Sequence, residues 1–154
     1  EVSWGGNGGV AWDSHGGGAE PVMKKSPALD AGFATLIRDL KDRGLLDTTL
    51  VIWMGEFGRG PRPGQGGGIN GGIGSGHFAK CWTTVLAGAG IKAGQVVGRP
   101  SKDLCEVDET PVSAGDFFAT VMTAVGIDPT KTYDVGGRPT PYAMFGSKPV
   151  AQLF

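Results

Sequence analysis

The run TLVIWM, residues 49–54, constrains this chain more than any other stretch. After Thr49 every side chain is apolar, and two are β-branched. A strand with one wet face alternates polar and apolar positions, and this one does not. It reads as a strand buried on both faces, the habit of a parallel strand covered by helices. The residues before it, SPALDAGFATLIRDLKDRG, read as such a helix. Ser26 suits an N-cap and Pro27 a first helical residue. Leu29, Phe33, Leu36, Ile37 and Leu40 recur at helical spacing along one stripe, and Gly44 suits a left-handed close. With EVSW and GVAW as short strands ahead of the helix, strand, helix and strand make a βαβ unit with a right-handed crossover.

The second half follows the same logic. CWTTVLAG reads as a strand. VSAGDFFATVMTAVG reads as a helix with a capping box from Ser113 to Asp116 and a terminal Gly126. Phe117, Val121 and Val125 share a stripe, with Phe118 and Met122 beside it. From about residue 137 onward the chain is proline-rich and reads as an extended surface tail. The expected class is α/β, an open sheet covered by helices on both faces. Two helices are too few to cover both faces of a sheet of four or more strands. The remaining apolar surface, and an edge strand such as EVSW with its Trp4, therefore ask for a partner surface or a further segment.

At 154 residues the chain is long enough for one domain with a core. A net charge of −1 with mixed acids and bases points away from nucleic acid. No apolar run approaches the roughly 20 residues of a membrane span. The first residues lack the basic start and apolar stretch of a signal peptide. A start at Glu1 rather than methionine suggests a processed product or a fragment. Cys81 and Cys105 are too few for a disulfide framework, and a single bridge between them stays open.

Glycine is the compositional outlier, with 29 residues, concentrated in 5–18 and 58–76. Such stretches are linkers, or they are places where backbone comes close to a ligand. Their neighbours matter, because both histidines of the chain sit in these loops. Asp13 and His15 follow the expected strand GVAW, Glu56 follows TLVIWM, and His77 closes the second glycine loop. Strand ends on one edge of an open α/β sheet are where ligands bind. Carboxylate with imidazole suits zinc, manganese or iron, and carboxylate alone suits calcium or magnesium. The plainer readings are a capped turn at Asp13, a Glu56–Arg59 ion pair and a surface His77. Arg59 and Arg62 are placed to hold an oxyanion through bidentate bonds, or to be solvated. The glycine loop is not a phosphate-binding P-loop, since no Gly-Lys-Ser/Thr follows it.

The ordered set WDSHGGG, DLKDRGLLDTTLVIWMGEFGRGP, GSGHF, VLAGAGIKAGQVVG and VGIDPT…GRP resembles the domain-of-unknown-function family 1501 over nearly the whole chain. It also resembles the second half of the alkaline phosphatase and sulfatase superfamily. That resemblance implies a three-layer α/β/α fold with a mostly parallel sheet, of which this chain is the C-terminal part. It implies that Asp13, His15 and His77 bind one divalent metal, zinc, manganese or calcium. A second site draws on an Asp-His pair, and Glu56 and Phe57 stand there instead. Phenylalanine cannot ligate, so that site is weakened or lost. Gly76 stands where an aspartate is usual. The superfamily takes its nucleophile and a further aspartate from an N-terminal half, which is expected in a missing segment or another chain. The implied function is metal-dependent hydrolysis of phosphate or sulfate esters, incomplete in this chain, with Arg59 steadying the anion. The alternative is a non-catalytic scaffold or binding subunit. Export from the cytoplasm is implied by the resemblance alone.

Overall fold

The computed structural model describes Trp12, residues 20–62 and residues 76–154. The expected strand EVSW lies outside those residues, as does GVAW except for Trp12. In chain order the described elements are helix α1 (Glu20–Asp42), strands β1 (Val51–Met54), β2 (Gly58–Arg59), β3 (His77–Phe78), β4 (Thr84–Ala87), β5 (Arg99–Pro100) and β6 (Val107–Glu109), helix α2 (Ala114–Ala124), and strands β7 (Thr132–Val135) and β8 (Arg138–Pro141). Short 3₁₀ turns occupy Leu46–Thr48 and Ala151–Leu153.

The expected three-layer α/β/α architecture is not what forms. Among the described residues there are two helices and four separate two-stranded sheets, β1–β4, β2–β3, β5–β6 and β7–β8. The β2–β3 and β7–β8 pairs run antiparallel. The physical reason is visible in β1. A continuous apolar run shows what a strand would bury, but it supplies no neighbours. Among the described residues β1 pairs only with β4, and Ile52, Trp53 and Met54 remain 37%, 52% and 46% exposed. Among the described residues no sheet is wide enough for helices to layer on both faces.

The helices form where their sequences call for them, with one early start. Helix α1 begins at Glu20, six residues before the expected cap, and carries Pro27 inside it. An ion pair of 2.7 Å between Glu20 and Lys24, one turn apart, supports the added turn. Ser26, expected as the cap, instead donates its hydroxyl back to the Val22 carbonyl at 2.8 Å. The C-terminus matches expectation. Gly44 takes φ +68°, its N–H donates to the Lys41 carbonyl, and the Leu45 N–H donates to the Leu40 carbonyl. That pair of bonds closes the helix as a Schellman motif. Helix α2 is capped at both ends as expected. Ser113 Oγ accepts from the Asp116 N–H, and Gly126 at φ +79° ends the helix through the same two-bond pattern.

The chain divides into two compact units. One gathers the described parts of Glu1–Asp39, Met54–Thr84 and Pro100–Val107; the other gathers Leu40–Trp53, Val85–Arg99 and Asp108–Phe154. In the second unit the buried face of α2 is not the expected large-residue stripe. Gly115, Ala119 and Thr120 are buried, while Phe118 and Val125 are largely exposed. The tail decides this. A side chain at Gly115 would lie 2.3 Å from Ser147 Oγ and 3.3 Å from Met144 Sδ. A glycine at 115 lets the Ser147 and Met144 side chains of the tail approach the helix, and Ala143 is buried in the tail itself.

That tail is not simply extended. It opens with the β7–β8 hairpin, in register from Thr132↔Pro141 to Val135↔Arg138. Gly136 and Gly137, at φ +59° and +83°, form its two-residue turn. In such a hairpin Val135 and Arg138 form a hydrogen-bonded pair, and the alternation leaves Pro139 and Pro141 at positions whose nitrogen faces away from β7. The Tyr142 N–H bond to the Lys131 carbonyl, 2.9 Å, falls on the same alternation.

Candidate functional site: the β2–β3 corner

Directly after β1 the chain bends through Gly55, Glu56 and Phe57 and enters β2. Gly58 pairs with Phe78 and Arg59 with His77 across the β2–β3 ladder. One step further the Gly60 N–H donates to the Gly76 carbonyl at 3.2 Å. Gly58 is the fixed point. A Cβ on it would come 1.6 Å from the Cys81 carbonyl oxygen and 2.7 Å from the Phe78 carbonyl oxygen. The glycine of EFGR therefore allows two backbone segments to touch, and that contact sets where its neighbours point.

The corner gathers four side chains. Glu56 Oε1 lies 3.9 Å from Arg59 Nη2, with Glu56 68% and Arg59 32% exposed. The His77 ring stacks on the Phe57 ring, centroids 4.0 Å apart and tilted by 38°. The Arg59 guanidinium carbon lies 5.4 Å from the same Phe57 ring, within cation–π range. Of the residues singled out in the sequence, Glu56, Arg59 and His77 meet here. Arg62 is exposed at the end of the described stretch. Asp13 and His15 lie outside the described residues. Their neighbour Trp12 is described, with Lys25 Nζ 6.0 Å from its ring centre.

Glu56 and His77 offer one carboxylate and one imidazole, which suits zinc or manganese but falls short of the four positions of a zinc centre. No group of three or more His, Cys, Asp or Glu side chains able to hold a metal occurs among the described residues. A complete centre of the expected kind thus needs Asp13 and His15. Cys81 and Cys105 form no disulfide with each other in this structure.

The residue that sequence reasoning undervalued is Phe57. Read as a lost ligand, it is the contact that His77 and Arg59 share. Its only signal in the sequence was an aromatic ring close to an arginine in EFGR, just ahead of β2.

The family model described as a protein of unknown function, DUF1501, matches residues 1–154. The chain belongs to the DUF1501 family. No curated protein matches it, and no solved structure matches it. The DUF1501 match spans the corner, both capped helices and the tail. Among the described residues of this DUF1501 chain no helix is long and apolar enough to cross a membrane.

Proposed function

We propose that this DUF1501 chain carries part of a metal-dependent site for hydrolysis of phosphate or sulfate esters, as a relative of the alkaline phosphatase and sulfatase superfamily. Asp13, His15 and His77 hold one divalent metal, zinc, manganese or calcium; Glu56 binds or orients it; Arg59 steadies the ester anion. The observation that carries the reading is that Arg59 faces His77 across β2–β3 with Glu56 in ion-pair range of Arg59. A bound divalent ion would polarise the ester oxygens. The chain's own residues bind and orient. Arg59 presents a planar fork of N–H donors suited to a tetrahedral oxyanion, and the β2–β3 register keeps it opposite His77. No nucleophile is assigned among these residues. The superfamily placement rests on motif order, since the described fold does not supply a parallel sheet. Export rests on the same resemblance.

A non-catalytic scaffold or binding role is the second reading, and one observation favours it: Phe57 covers a face of His77 at the position where the resemblance expects a ligand. Metal analysis of the purified protein after dialysis against zinc, manganese and calcium in turn separates the two. The proposal expects one bound ion, lost in Asp13→Ala and in His77→Ala, with ester turnover by the chain alone at background. Metal content unchanged by both substitutions would overturn the metal assignment. Turnover that disappears in Asp13→Ala would show instead that the chain is a complete enzyme.

A further inference from the structure

The corner contains a device that the metal reading does not use. Phe57 cannot ligate, yet two basic side chains converge on its ring. His77 stacks on it at 4.0 Å, and the Arg59 guanidinium lies 5.4 Å from its centre. The two are also direct partners across β2–β3. Neither contact is incidental to the backbone, because the Gly58–Cys81 contact fixes the residue between Phe57 and Arg59.

We propose that Phe57 is a positioning residue that seats His77 and Arg59 as a two-donor clamp for a tetrahedral oxyanion, and that the clamp works without metal. The inference rests on the reading of this corner as the anion end of the site, and it names phosphate or sulfate as the ligand class. The physical case has three parts. First, imidazole and guanidinium are flat, and both keep their N–H donors in the plane of the group. Contact with a phenyl face restricts their rotation while leaving that plane for hydrogen bonds. Second, seating both groups on one ring removes rotamer entropy before the ligand arrives, so less is lost on binding. Third, the corner already holds an anion loosely. The Glu56 carboxylate sits 3.9 Å from Arg59, longer than a hydrogen bond. A tetrahedral oxyanion able to make short, charge-assisted bonds to both donors displaces that contact. Glu56 is thus a competitor for the clamp as well as a candidate ligand.

The test uses the whole protein, dialysed against chelator, with inorganic phosphate and inorganic sulfate as separate probes and chloride as the control. Titrations followed by calorimetry and by NMR of the two histidine rings give affinity and geometry together. In the wild type the His77 ring protons should be shifted upfield by the Phe57 ring current, with His15→Gln used to assign them. Phe57→Leu keeps bulk but removes the ring. It should abolish that shift and weaken oxyanion binding by about fivefold, the size of an exposed cation–π and stacking contribution. Phe57→Tyr should restore both within about twofold, and Glu56→Gln should tighten binding by removing the competing carboxylate. Phosphate and sulfate binding to similar extents supports a clamp reading shape and charge, and a preference for one names the ligand. Absence of the ring-current shift in the wild type overturns the platform. Oxyanion binding that is absent from the wild type, or equal in Phe57→Leu, overturns the clamp. If metal binding and ester chemistry fail while oxyanion binding still depends on Phe57, the hydrolase reading falls and this one stands.

Discussion

Around α2 the polar side chains hold the fold together, whereas at the β2–β3 corner side chains of the same chemistry are arranged at the surface. Ser113 Oγ accepts from the Asp116 N–H at 3.0 Å and donates to Asp116 Oδ2 at 2.7 Å. Asp116 Oδ1 accepts the Lys148 N–H at 2.8 Å. Thr120, fully buried, donates to the Asp116 carbonyl and accepts the Val150 N–H at 2.9 Å. Each of these side chains holds a backbone group in place. At the corner, Glu56, Arg59 and His77 are held by a strand register, a ring face and one loose ion pair. The difference teaches where to look for chemistry. A carboxylate whose oxygens are taken by backbone N–H groups is framework. The charged groups of the corner are set instead by a ring face and a strand register, the kind of placement that orients a group without turning it into framework.

The strongest test of that contrast is Gly58→Ala. The added methyl would overlap the Cys81 carbonyl, so the two backbone segments must part. The expected cost is about 3 kcal/mol or more, the range of a severe backbone clash. For a chain of this size that is a fall of about 6–12 °C in melting temperature. Phosphate binding should disappear with it. Thermal unfolding and a phosphate titration check both. An unchanged melting temperature would show that the corner does not depend on the contact.

A smaller effect is expected from Thr120→Val on the other side of the comparison. Valine keeps the volume and removes the hydroxyl, leaving the Val150 N–H without its acceptor. The cost should be about 1–3 kcal/mol. Amides of the tail should exchange faster, and phosphate affinity should stay as in the wild type. A change in phosphate affinity would break the separation between framework and site.

Legibility in the sequence followed how local each signal was. Ser113, Asp116, Gly126 and Gly44 state helix ends through bonds within a few residues, and the structure places those ends where they point. Ser26 and Pro27 carry the same kind of signal, but the Glu20–Lys24 turn ahead of them extends the helix past both. The Gly136–Gly137 turn was equally local, yet the prolines around it read as an extended surface tail. They fit because a two-stranded hairpin has a free edge on each strand. The sheet was not legible. The apolar run at 51–54 reports a demand for burial, and which strands and helices meet that demand is settled by distant parts of the chain. The corner was half legible. Glu56, Arg59 and His77 announce themselves by residue type, whereas the role of Phe57 depends on Gly58 meeting Cys81, which lies 23 positions away in the sequence.

The smallest expected effect is the response of the α2 tail to acid. The Lys148 N–H and then the Ser113 hydroxyl hold the Asp116 carboxyl below its usual range. A group depressed in the folded state contributes stability that is fully present above its unfolded value, about 3.9 for aspartate, and is lost as pH falls through the folded value. The Lys148 anchor should therefore be constant from neutral pH down to about 4 and loosen below it. Global melting would not isolate this. Asp103, bonded by the Ser101 hydroxyl, and Asp128, bonded by the Thr130 hydroxyl, are shifted in the same direction and titrate in the same window. The local readout is the protection factor of the Lys148 amide, which donates to Asp116 and to neither of the others. It should fall with acid in the wild type. In Asp116→Asn it should be lower at neutral pH and flat through the same window, because the amide oxygen still accepts but carries no charge to lose. An acid response that persists in Asp116→Asn would place the titrating group elsewhere and remove Asp116 from the framework side of the comparison.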